Sequence, residues 1–385
     1  MSNPFIGVLF HWAGGLASGS FYVPFRGVRR WSWETAWLAG GVFSWIIAPW
    51  FFGLLLTKDL VAVLGEAFSQ QLPAVGWTYL FGALWGLGGL TFGLTMRYLG
   101  MSLGMAVALG YCSTFGTLVP PLFRGEFTAK LITPLSGNWV LAGIAVCIVG
   151  IAIAGLAGVL KERGMSAEQK QETIKEFNFW KGLGIATFSG IMSACFSFGL
   201  SAGEPINAIT KAHGTDAHWA GLPILVVLLG GGFTSNAIWC AILNLRNRSG
   251  GEYFSPVTTK ATTGGFLNEH GTGPSSGVLP AGSPVPLLAN YFWAGLAGVT
   301  WYFQFFFYTI GESMMGDYTF TSWTLHMASI IIFSSLWGMK LGEWKGSSPR
   351  AFRLLWVAIG VLVLSTIIIG YGNYVGQASS AAAGH

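Results

Sequence analysis

Of the 385 residues only 9% are charged and 52% are hydrophobic, and the mean hydropathy is +0.58. This composition excludes an ordinary soluble globular domain and indicates a chain that lies largely in lipid. The net charge of +5 comes from basic residues in the predicted loops and gives no reason to expect a nucleic-acid partner.

Ten apolar segments follow one another along the chain, each close to the roughly 20 residues that a helix needs to cross the hydrocarbon core. A stretch such as 140–159 is apolar on every face, whereas the strands of an outer-membrane barrel alternate in polarity. We therefore predict an all-α membrane protein with ten transmembrane helices. The segments lie near residues 5–25, 35–56, 74–95, 99–121, 137–157, 181–203, 220–243, 287–310, 322–339 and 353–373.

Basic residues are distributed unevenly between the predicted loops. Sixteen of the 20 Lys and Arg residues fall in the odd-numbered loops, and the even-numbered loops hold only Lys58, Arg124, Lys130 and Lys211. The positive-inside rule then places the odd-numbered loops in the cytoplasm and both termini in the periplasm.

A charged cytoplasmic linker, residues 161–180, divides the ten segments into five plus five. Because each half has an odd number of segments, the second half (181–385) must enter the membrane in the opposite orientation to the first (1–160). That is the geometry of an inverted-repeat transporter. Another polar region, residues 244–286, is rich in Gly, Ser, Thr and Pro and is predicted to be a flexible cytoplasmic loop or insertion.

Small residues recur at helical spacing in several segments, as in Gly14, Gly15 and Ser18 of the first. Such stripes let helices pack closely in lipid, and the alternative is that they let helices slide or bend between transport states. Four prolines of the first half lie near segment ends and are predicted to terminate helices there and not to act as mid-membrane hinges; they are Pro24, Pro49, Pro120 and Pro121.

Ionisable groups inside a membrane are costly, so each is a candidate functional residue. The carboxylates fall in loops or at segment ends, and of the six histidines only His11 and His326 fall within segments. His11 is the first candidate proton carrier, because histidine changes charge in the physiological pH range. It shares a helix face with Gly15, Ser18 and Tyr22, which is expected to line a cavity. The alternatives are a neutral His11 that bonds a neighbouring helix, and an interfacial anchor at His326.

The eighth segment carries a candidate sugar platform. Trp301, Gln304 and Tyr308 lie three and four residues apart on one helix face. Aromatic rings pack against the C–H surface of a sugar, and an amide bonds its hydroxyls. A lipid-facing aromatic stripe is the alternative, although an amide in lipid would be unsatisfied. Asn236 and Asn290 are further candidates for substrate contact, and either amide could instead tie helices together.

No motif of an enzyme is present: there is no Walker A loop, no His-Glu-x-x-His and no nucleophile elbow. The four cysteines lack metal-type spacing and are interpreted as apolar packing residues. We therefore predict no catalytic residues, no metal and no cofactor.

Several long stretches resemble the L-rhamnose–proton symporter family of the drug/metabolite transporter superfamily. They are FYVPF at 21–25, WSWET at 31–35, GLTMRYLGMS at 93–102, WYFQFFFY at 301–308 and WTLHM at 323–327. The resemblance covers nearly the whole chain. It implies a ten-helix inverted repeat in a bacterial inner membrane and proton-driven uptake of L-rhamnose and close analogues.

The chain also departs from the family pattern at several positions. The changes remove hydrogen-bonding groups from one wall of the expected cavity, add carboxylates near its outer mouth and lengthen the 244–286 loop. They leave open another deoxysugar as substrate and a role of a carboxylate in proton release. The departures are Gly89, Thr91 and Phe92 in the third segment, Ser201 and Glu204 at the end of the sixth, and Glu312 after the eighth.

The predicted function is symport of a sugar and protons by alternating access, with the two halves rocking about a site between them. The alternatives are an exporter of another metabolite from the same superfamily and a non-transporting sugar sensor, for which the long 244–286 loop is the motive. Predicted substrate contacts are Ser18, Tyr22, Trp85, Thr91, Asn236, Asn290, Trp301, Gln304 and Tyr308, and predicted proton-coupling residues are His11, Glu204, Glu312 and His326.

Overall fold

The computed structural model describes residues 3–99, 101–164, 178–258 and 280–383, and within them the chain is all-helical. An isolated β-bridge joins Val257 and Pro284. The helices are α1 (Pro4–Ser20), α2 (Tyr22–Phe25), α3 (Trp33–Val42), α4 (Ala48–Leu56), α5 (Leu60–Gln70), α6 (Leu72–Leu99), α7 (Met101–Phe123), α8 (Leu135–Arg163), α9 (Phe179–Ala202), α10 (Glu204–Ala212), α11 (Leu222–Asn247), α12 (Leu287–Ser313), α13 (Ser322–Lys340) and α14 (Pro349–Ala383).

Each predicted apolar segment coincides with one of these helices or with two in succession, so the prediction of an all-α membrane chain is confirmed. By length and composition, six helical segments of the described residues could cross a membrane. They are Trp33–Leu56, Gly104–Phe123, Leu135–Arg163, Trp180–Ala212, Leu222–Asn247 and Pro349–Ser379.

Pro49 does not terminate a helix, contrary to the sequence prediction. The chain passes from α3 through a π-helical turn, Phe43–Ile47, directly into α4, and Pro49 stands in the first turn of α4. A proline lacks the N–H that would bond the carbonyl four residues earlier, here that of Trp45, and its ring crowds that carbonyl. The wider π turn accommodates both effects, so the helical segment continues to Leu56.

Helix α1 packs against α12 and α13, which lie in the other half of the sequence. Glycines make this approach possible. A Cβ at Gly14 would lie 2.8 Å from the carbonyl oxygen of Gln304, and one at Gly15 would lie 2.5 Å from the Cβ of Ser329. The stripe of small residues in the first segment therefore acts in close helix packing.

Helix α9 packs against α6 and α7 in the same manner, again across the two halves. A Cβ at Gly88 of α6 would lie 2.6 Å from the backbone nitrogen of Ser193. A Cβ at Gly190 of α9 would lie 2.7 Å from the carbonyl oxygen of Ala108. Two three-helix groups result, α1 with α12 and α13, and α9 with α6 and α7.

Further helix contacts join the halves, among them α6 with α11. Helices α8 and α14 contact each other along much of their length, with Gly143 against Ile369 and Gly150 against Leu362. Helices α3 and α4 pack against α11.

One end of the molecule is held by polar contacts between the loops predicted to be cytoplasmic. The Asn290 amide bonds both backbone groups of Arg29, with its Oδ1 accepting at 2.9 Å and its Nδ2 donating at 2.8 Å. The Glu252 carboxylate accepts from the backbone N–H and the hydroxyl of Ser32, both at 2.7 Å. Buried Glu34 accepts from Ser249 at 2.5 Å.

The structure describes both ends of the 244–286 region, which was predicted to be a flexible cytoplasmic loop or insertion. Helix α11 continues through the first residues of this region to Asn247, and a 3-10 turn follows at Gly250–Tyr253. The first and last parts of the region then meet at the bridge between Val257 and Pro284. They are ordered because they cover the end of the helix bundle. Residues 259–279 of the predicted loop, and 165–177 of the predicted linker, lie outside the described residues.

The opposite end joins α4 and α5 to α10 and the loop after it. The backbone N–H of Lys58 donates to the hydroxyl of Thr215 at 3.0 Å. Nε2 of His213 lies 2.8 Å from a carboxylate oxygen of Glu66. Both ends therefore fasten the segment 33–70 to the region around α11.

Candidate functional site

Four tryptophans meet between the two three-helix groups. Trp37 and Trp45 come from the α3–α4 segment, Trp85 from α6 and Trp301 from α12. The Trp301 ring centroid lies 5.2 Å from that of Trp37, 5.3 Å from Trp45 and 6.3 Å from Trp85. The structure thus brings together Trp85 and Trp301, the two rings predicted to form the site, although they are distant in sequence.

Trp37 and Trp45 were not among the predicted site residues. Both face the cluster because they stand eight residues apart, slightly more than two helical turns, on one side of the α3–α4 segment. That spacing was the available signal. Trp45 is 1% exposed, and its indole N–H has no hydrogen-bond partner among the described residues.

Asn236, a predicted substrate contact, holds Trp37 in place. Its Oδ1 accepts from the Trp37 indole N–H at 3.0 Å, and its Nδ2 donates to the carbonyl of Gly232 at 2.9 Å. Trp85 packs directly on Gly232, where an added Cβ would lie 2.6 Å from the ring. The amide therefore fixes the tryptophan cluster from the α11 side.

Aromatic rings from α9 and α12 extend the cluster. Phe196 stacks on Phe305 with ring centroids 4.4 Å apart, and Trp85 meets Phe305 edge-on at 5.5 Å. Phe21, just after α1, stacks on Trp301 at 4.6 Å. The arrangement offers aromatic faces to the C–H surface of a neutral ring.

Gln304 follows Trp301 on the inner face of α12. It is 4% exposed, and its Nε2 has no hydrogen-bond partner within the described part of the chain. The alternative of a lipid-facing stripe therefore does not hold for this side chain. An unpaired buried amide is costly, which makes Gln304 available to a bound polar group.

One turn further along α12, Tyr308 lies between two buried histidines. Its ring centroid is 5.2 Å from that of His11 and 5.4 Å from that of His326, both in edge-to-face geometry. Neither imidazole nitrogen of either histidine has a hydrogen-bond partner among the residues described. Ser329 ties the two elements together, since its hydroxyl lies 2.9 Å from the carbonyl of His11 and 2.7 Å from that of His326.

His326 is therefore not the interfacial anchor that was the alternative interpretation. It is only 1% exposed, although it stands near the beginning of α13. The reason is lateral packing, because α13 turns this side chain towards α1, where a Cβ at Gly14 would lie 3.3 Å from its Cε1. The alternative for His11 was a hydrogen bond to a neighbouring helix. Neither of its ring nitrogens has such a partner in the described chain.

The two predicted carboxylates lie near the carboxyl end of α12. The hydroxyl of Tyr308 donates to Oε1 of Glu312 at 3.5 Å. Glu204, Arg124 and Lys211 all lie within electrostatic range of Glu312. Arg124 is held in place by Ser201, whose hydroxyl and carbonyl accept from its guanidinium at 2.6 and 3.1 Å.

The remaining predicted contacts lie outside the tryptophan cluster. Asn290 is occupied by the backbone of Arg29 at the far end of α12. The hydroxyl of Thr91 bonds carbonyls of its own helix, at 2.9 and 3.1 Å. Ser18 is buried on α1, and Tyr22 packs on Phe21 at 4.1 Å with 44% of its surface exposed.

Space is free beside the cluster on α6. Gly89 and Gly93 follow Trp85 by four and eight residues, and no described atom lies within 4 Å of a Cβ built on either. These positions lie towards the end of the molecule that holds Arg29.

Comparison with known families identifies this arrangement. The model of the L-rhamnose-proton symport protein family matches residues 1–257 and 281–375. The chain belongs to this family.

The symport family membership makes the chain a multi-pass membrane transporter and not an enzyme. The gap in the family match, residues 258–280, falls inside the polar 244–286 region. It agrees with the expectation that this region is longer than the family pattern. Among the residues that the structure describes, no group of His, Cys, Asp or Glu could hold a metal ion.

Similar proteins are found among curated L-rhamnose-proton symporters. One from Pectobacterium carotovorum subsp. carotovorum is 37% identical over 376 residues, which cover 97% of this chain and 99% of the relative. One from Pectobacterium atrosepticum is 37% identical over 374 residues, and one from Yersinia pestis is 36% identical over 377, with the same two coverages.

Proposed function

We propose that the protein is a proton-coupled symporter that carries L-rhamnose, or a closely related deoxysugar, across a bacterial inner membrane into the cell. The observation that carries this proposal is the continuous inner face of α12. It joins an aromatic and amide platform at Trp301 and Gln304 to the buried group of Tyr308 and two unpaired histidines. A platform suited to a sugar thus adjoins groups that can take a proton.

The proposal includes ten membrane-spanning segments in a five-plus-five inverted repeat, with both termini in the periplasm. Helix packing supports the repeat. The first helix of the first half packs on the third and fourth of the second half, and the first helix of the second half packs on the third and fourth of the first. Exchanging the halves leaves this pattern unchanged, as a pseudo-twofold axis in the membrane plane requires.

Alternating access in this architecture is proposed to move the two three-helix groups, not the sequence halves as first predicted. The halves 1–160 and 181–385 are joined by α8 with α14 and by α3 and α4 with α11. If the halves rocked as rigid bodies, the contacts of α8 with α14 and of α3 and α4 with α11 would break. The hydrogen bond between Trp37 and Asn236 would be lost with them. The space beside Trp85 and Trp301 opens when α1, α12 and α13 move against α6, α7 and α9. The contacts of α8 with α14 and of α3 and α4 with α11 stay in place during this movement.

The sugar is proposed to bind against Trp85 and Trp301, with Gln304 bonding a hydroxyl and with Trp37 and Trp45 completing the walls. Asn236 acts by positioning Trp37. Direct contacts from Ser18, Tyr22 and Thr91 remain predictions, whereas the amide of Asn290 bonds the backbone of Arg29 and the hydroxyl of Tyr308 bonds Glu312. The free space at Gly89 and Gly93 supports release of the sugar towards the cytoplasm, since it adjoins Trp85 on the side of the basic loops.

Proton coupling is proposed to use His11 and His326, with Glu312 and Glu204 receiving protons from the periplasmic side. A charged imidazole between packed helices requires compensation, so its protonation changes the balance between the two states of the transporter. Protonation of the imidazoles beside Tyr308 and sugar binding at Trp301 and Gln304 are then linked, because both act on the same face of α12.

The coupling role of His11 can be tested with His11→Ala. The expected result is loss of uphill sugar accumulation with sugar exchange at equal pH retained, because exchange needs no net proton movement. His213→Ala is the matched control, since His213 lies outside the site in contact with Glu66. Uphill transport by His11→Ala at the rate of the control would overturn the role.

A further inference from the structure

Tyr308 connects two groups that the proposed function assigns to proton coupling. Its side chain is 1% exposed and touches both His11 and His326. Its hydroxyl is directed to Glu312, which stands one helical turn nearer the outer end of α12. The phenol thus lies between an outer carboxyl group and two inner imidazoles.

Glu312 is set in an environment that suits exchange of a proton with the outside. Glu204, Arg124 and Lys211 are the charged groups that act on it from the neighbouring elements. On the following residue of α12, the hydroxyl of Ser313 lies 3.0 Å from Nδ1 of His218. The carboxyl group is therefore linked to the charged outer surface and, through its bond with Tyr308, to the protein interior.

The two imidazoles lack hydrogen bonds that would hold their nitrogens in place. All four ring nitrogens are buried and unpaired within the described chain. A buried nitrogen without a partner is costly, so either imidazole is stabilised when it finds a donor or acceptor. The hydroxyl of Tyr308 belongs to a ring that packs edge-to-face against both imidazoles, so the phenol is the polar side chain that stands beside both of them.

We propose that Tyr308 is a proton relay between Glu312 and the histidine pair, and not primarily a sugar contact. This inference rests on the proposed proton-coupled function. In the step, the protonated carboxyl of Glu312 gives its proton to the phenol oxygen while the phenol gives its own proton to an imidazole nitrogen. Tyr308 is neutral before and after, Glu312 becomes a carboxylate, and one imidazole becomes an imidazolium. After the step the hydroxyl turns back towards Glu312, and the relay can act again.

The test is Tyr308→Phe in proteoliposomes, with Tyr302→Phe as the matched control. Tyr302 lies on the same helix, is fully buried, and has a hydroxyl with no partner among the described residues. Labelled L-rhamnose uptake is measured with an inward proton gradient and, separately, as exchange at equal pH. We expect Tyr308→Phe to slow gradient-driven accumulation by about a hundredfold, the scale of a lost proton-transfer group. Exchange, the KM for exchange and all rates of the control should stay near those of the wild type.

Glu312→Gln provides a second, independent arm, because it removes the outer acid while keeping an acceptor for the phenol. It should show the same selective loss of accumulation, with the pH dependence of accumulation removed. Accumulation at the wild-type rate in either variant would overturn the relay. So would equal loss of exchange and accumulation in folded Tyr308→Phe, since that result indicates a sugar contact or a structural role. Absence of wild-type accumulation would overturn the proposed function itself, and the relay with it.

Discussion

Gly15→Ala is the change that most directly tests the packing of α1 on α13. The added Cβ would lie 2.5 Å from the Cβ of Ser329 and 2.7 Å from its backbone carbonyl carbon. Nonbonded carbon atoms are comfortable at about 3.5–4.0 Å, so the helices must separate by roughly 1 Å. Backbone atoms cannot rotate away as the end of a side chain can. The loss of unfolding free energy should therefore lie in the upper part of the range of about 1–3 kcal/mol that is typical of overpacking.

The matched control is Gly360→Ala in α14, where no described atom lies within 4 Å of the added Cβ. That change should be neutral or stabilise the helix by about 0.5–1 kcal/mol, because alanine loses less backbone entropy. Titration of the purified protein from mixed micelles with a denaturing detergent measures the free energy of unfolding. The two alanine variants should differ by about 2–4 kcal/mol.

Transport should also distinguish the two variants. The hydroxyl of Ser329 joins the carbonyls of His11 and His326, so displacing α1 moves the His11 imidazole away from His326 and Tyr308. We expect Gly15→Ala to lose accumulation more than exchange, and Gly360→Ala to keep both. Equal stability and equal transport in the two variants would refute the close contact of α1 with α13.

Three further changes test other parts of the structure. Asn236→Ala should cost about 1–3 kcal/mol of unfolding free energy, because it leaves the buried indole N–H of Trp37 without an acceptor, and thermal unfolding measures the loss. Asn290→Ala should be destabilising by a similar amount without changing the sugar KM, since its amide bonds the backbone of Arg29 and not the substrate; a raised KM would contradict this. Deletion of residues 259–279, which lie within the gap in the family match, should leave uptake unchanged, whereas lost uptake would assign this region a role in transport.

The all-helical architecture could be predicted because apolar length is itself the physical requirement for crossing lipid. The length of the apolar segments does not indicate which helices lie side by side. In a single sequence, the period of α1 indicates which face carries His11 and Gly15, but not that this face packs against helices from the other half. The exchange of α1 and α9 between the halves therefore emerged only from the structure.

Site residues could be predicted where a side chain suited to the site falls on a helix face that the residue spacing indicates to be inward. The spacing of Trp301, Gln304 and Tyr308 indicated an inner face of α12, and the structure buries Gln304 and Tyr308 there. The interfacial alternative for His326 arose because the residue stands near a helix end, while burial depends on which neighbour the side chain faces. Asn236 shows the converse, since amides that contact a sugar and amides that hold a tryptophan look identical in sequence.

The central claim is tested most directly by uptake of labelled L-rhamnose into proteoliposomes of the purified protein, with and without an inward proton gradient. Unlabelled sugars serve as competitors, and liposomes without protein give the background. Accumulation above equilibrium only when the gradient is present, blocked by unlabelled L-rhamnose, is the predicted result. Uptake that is indifferent to the gradient, or absent for every deoxysugar tested in protein shown to be folded, would contradict the account.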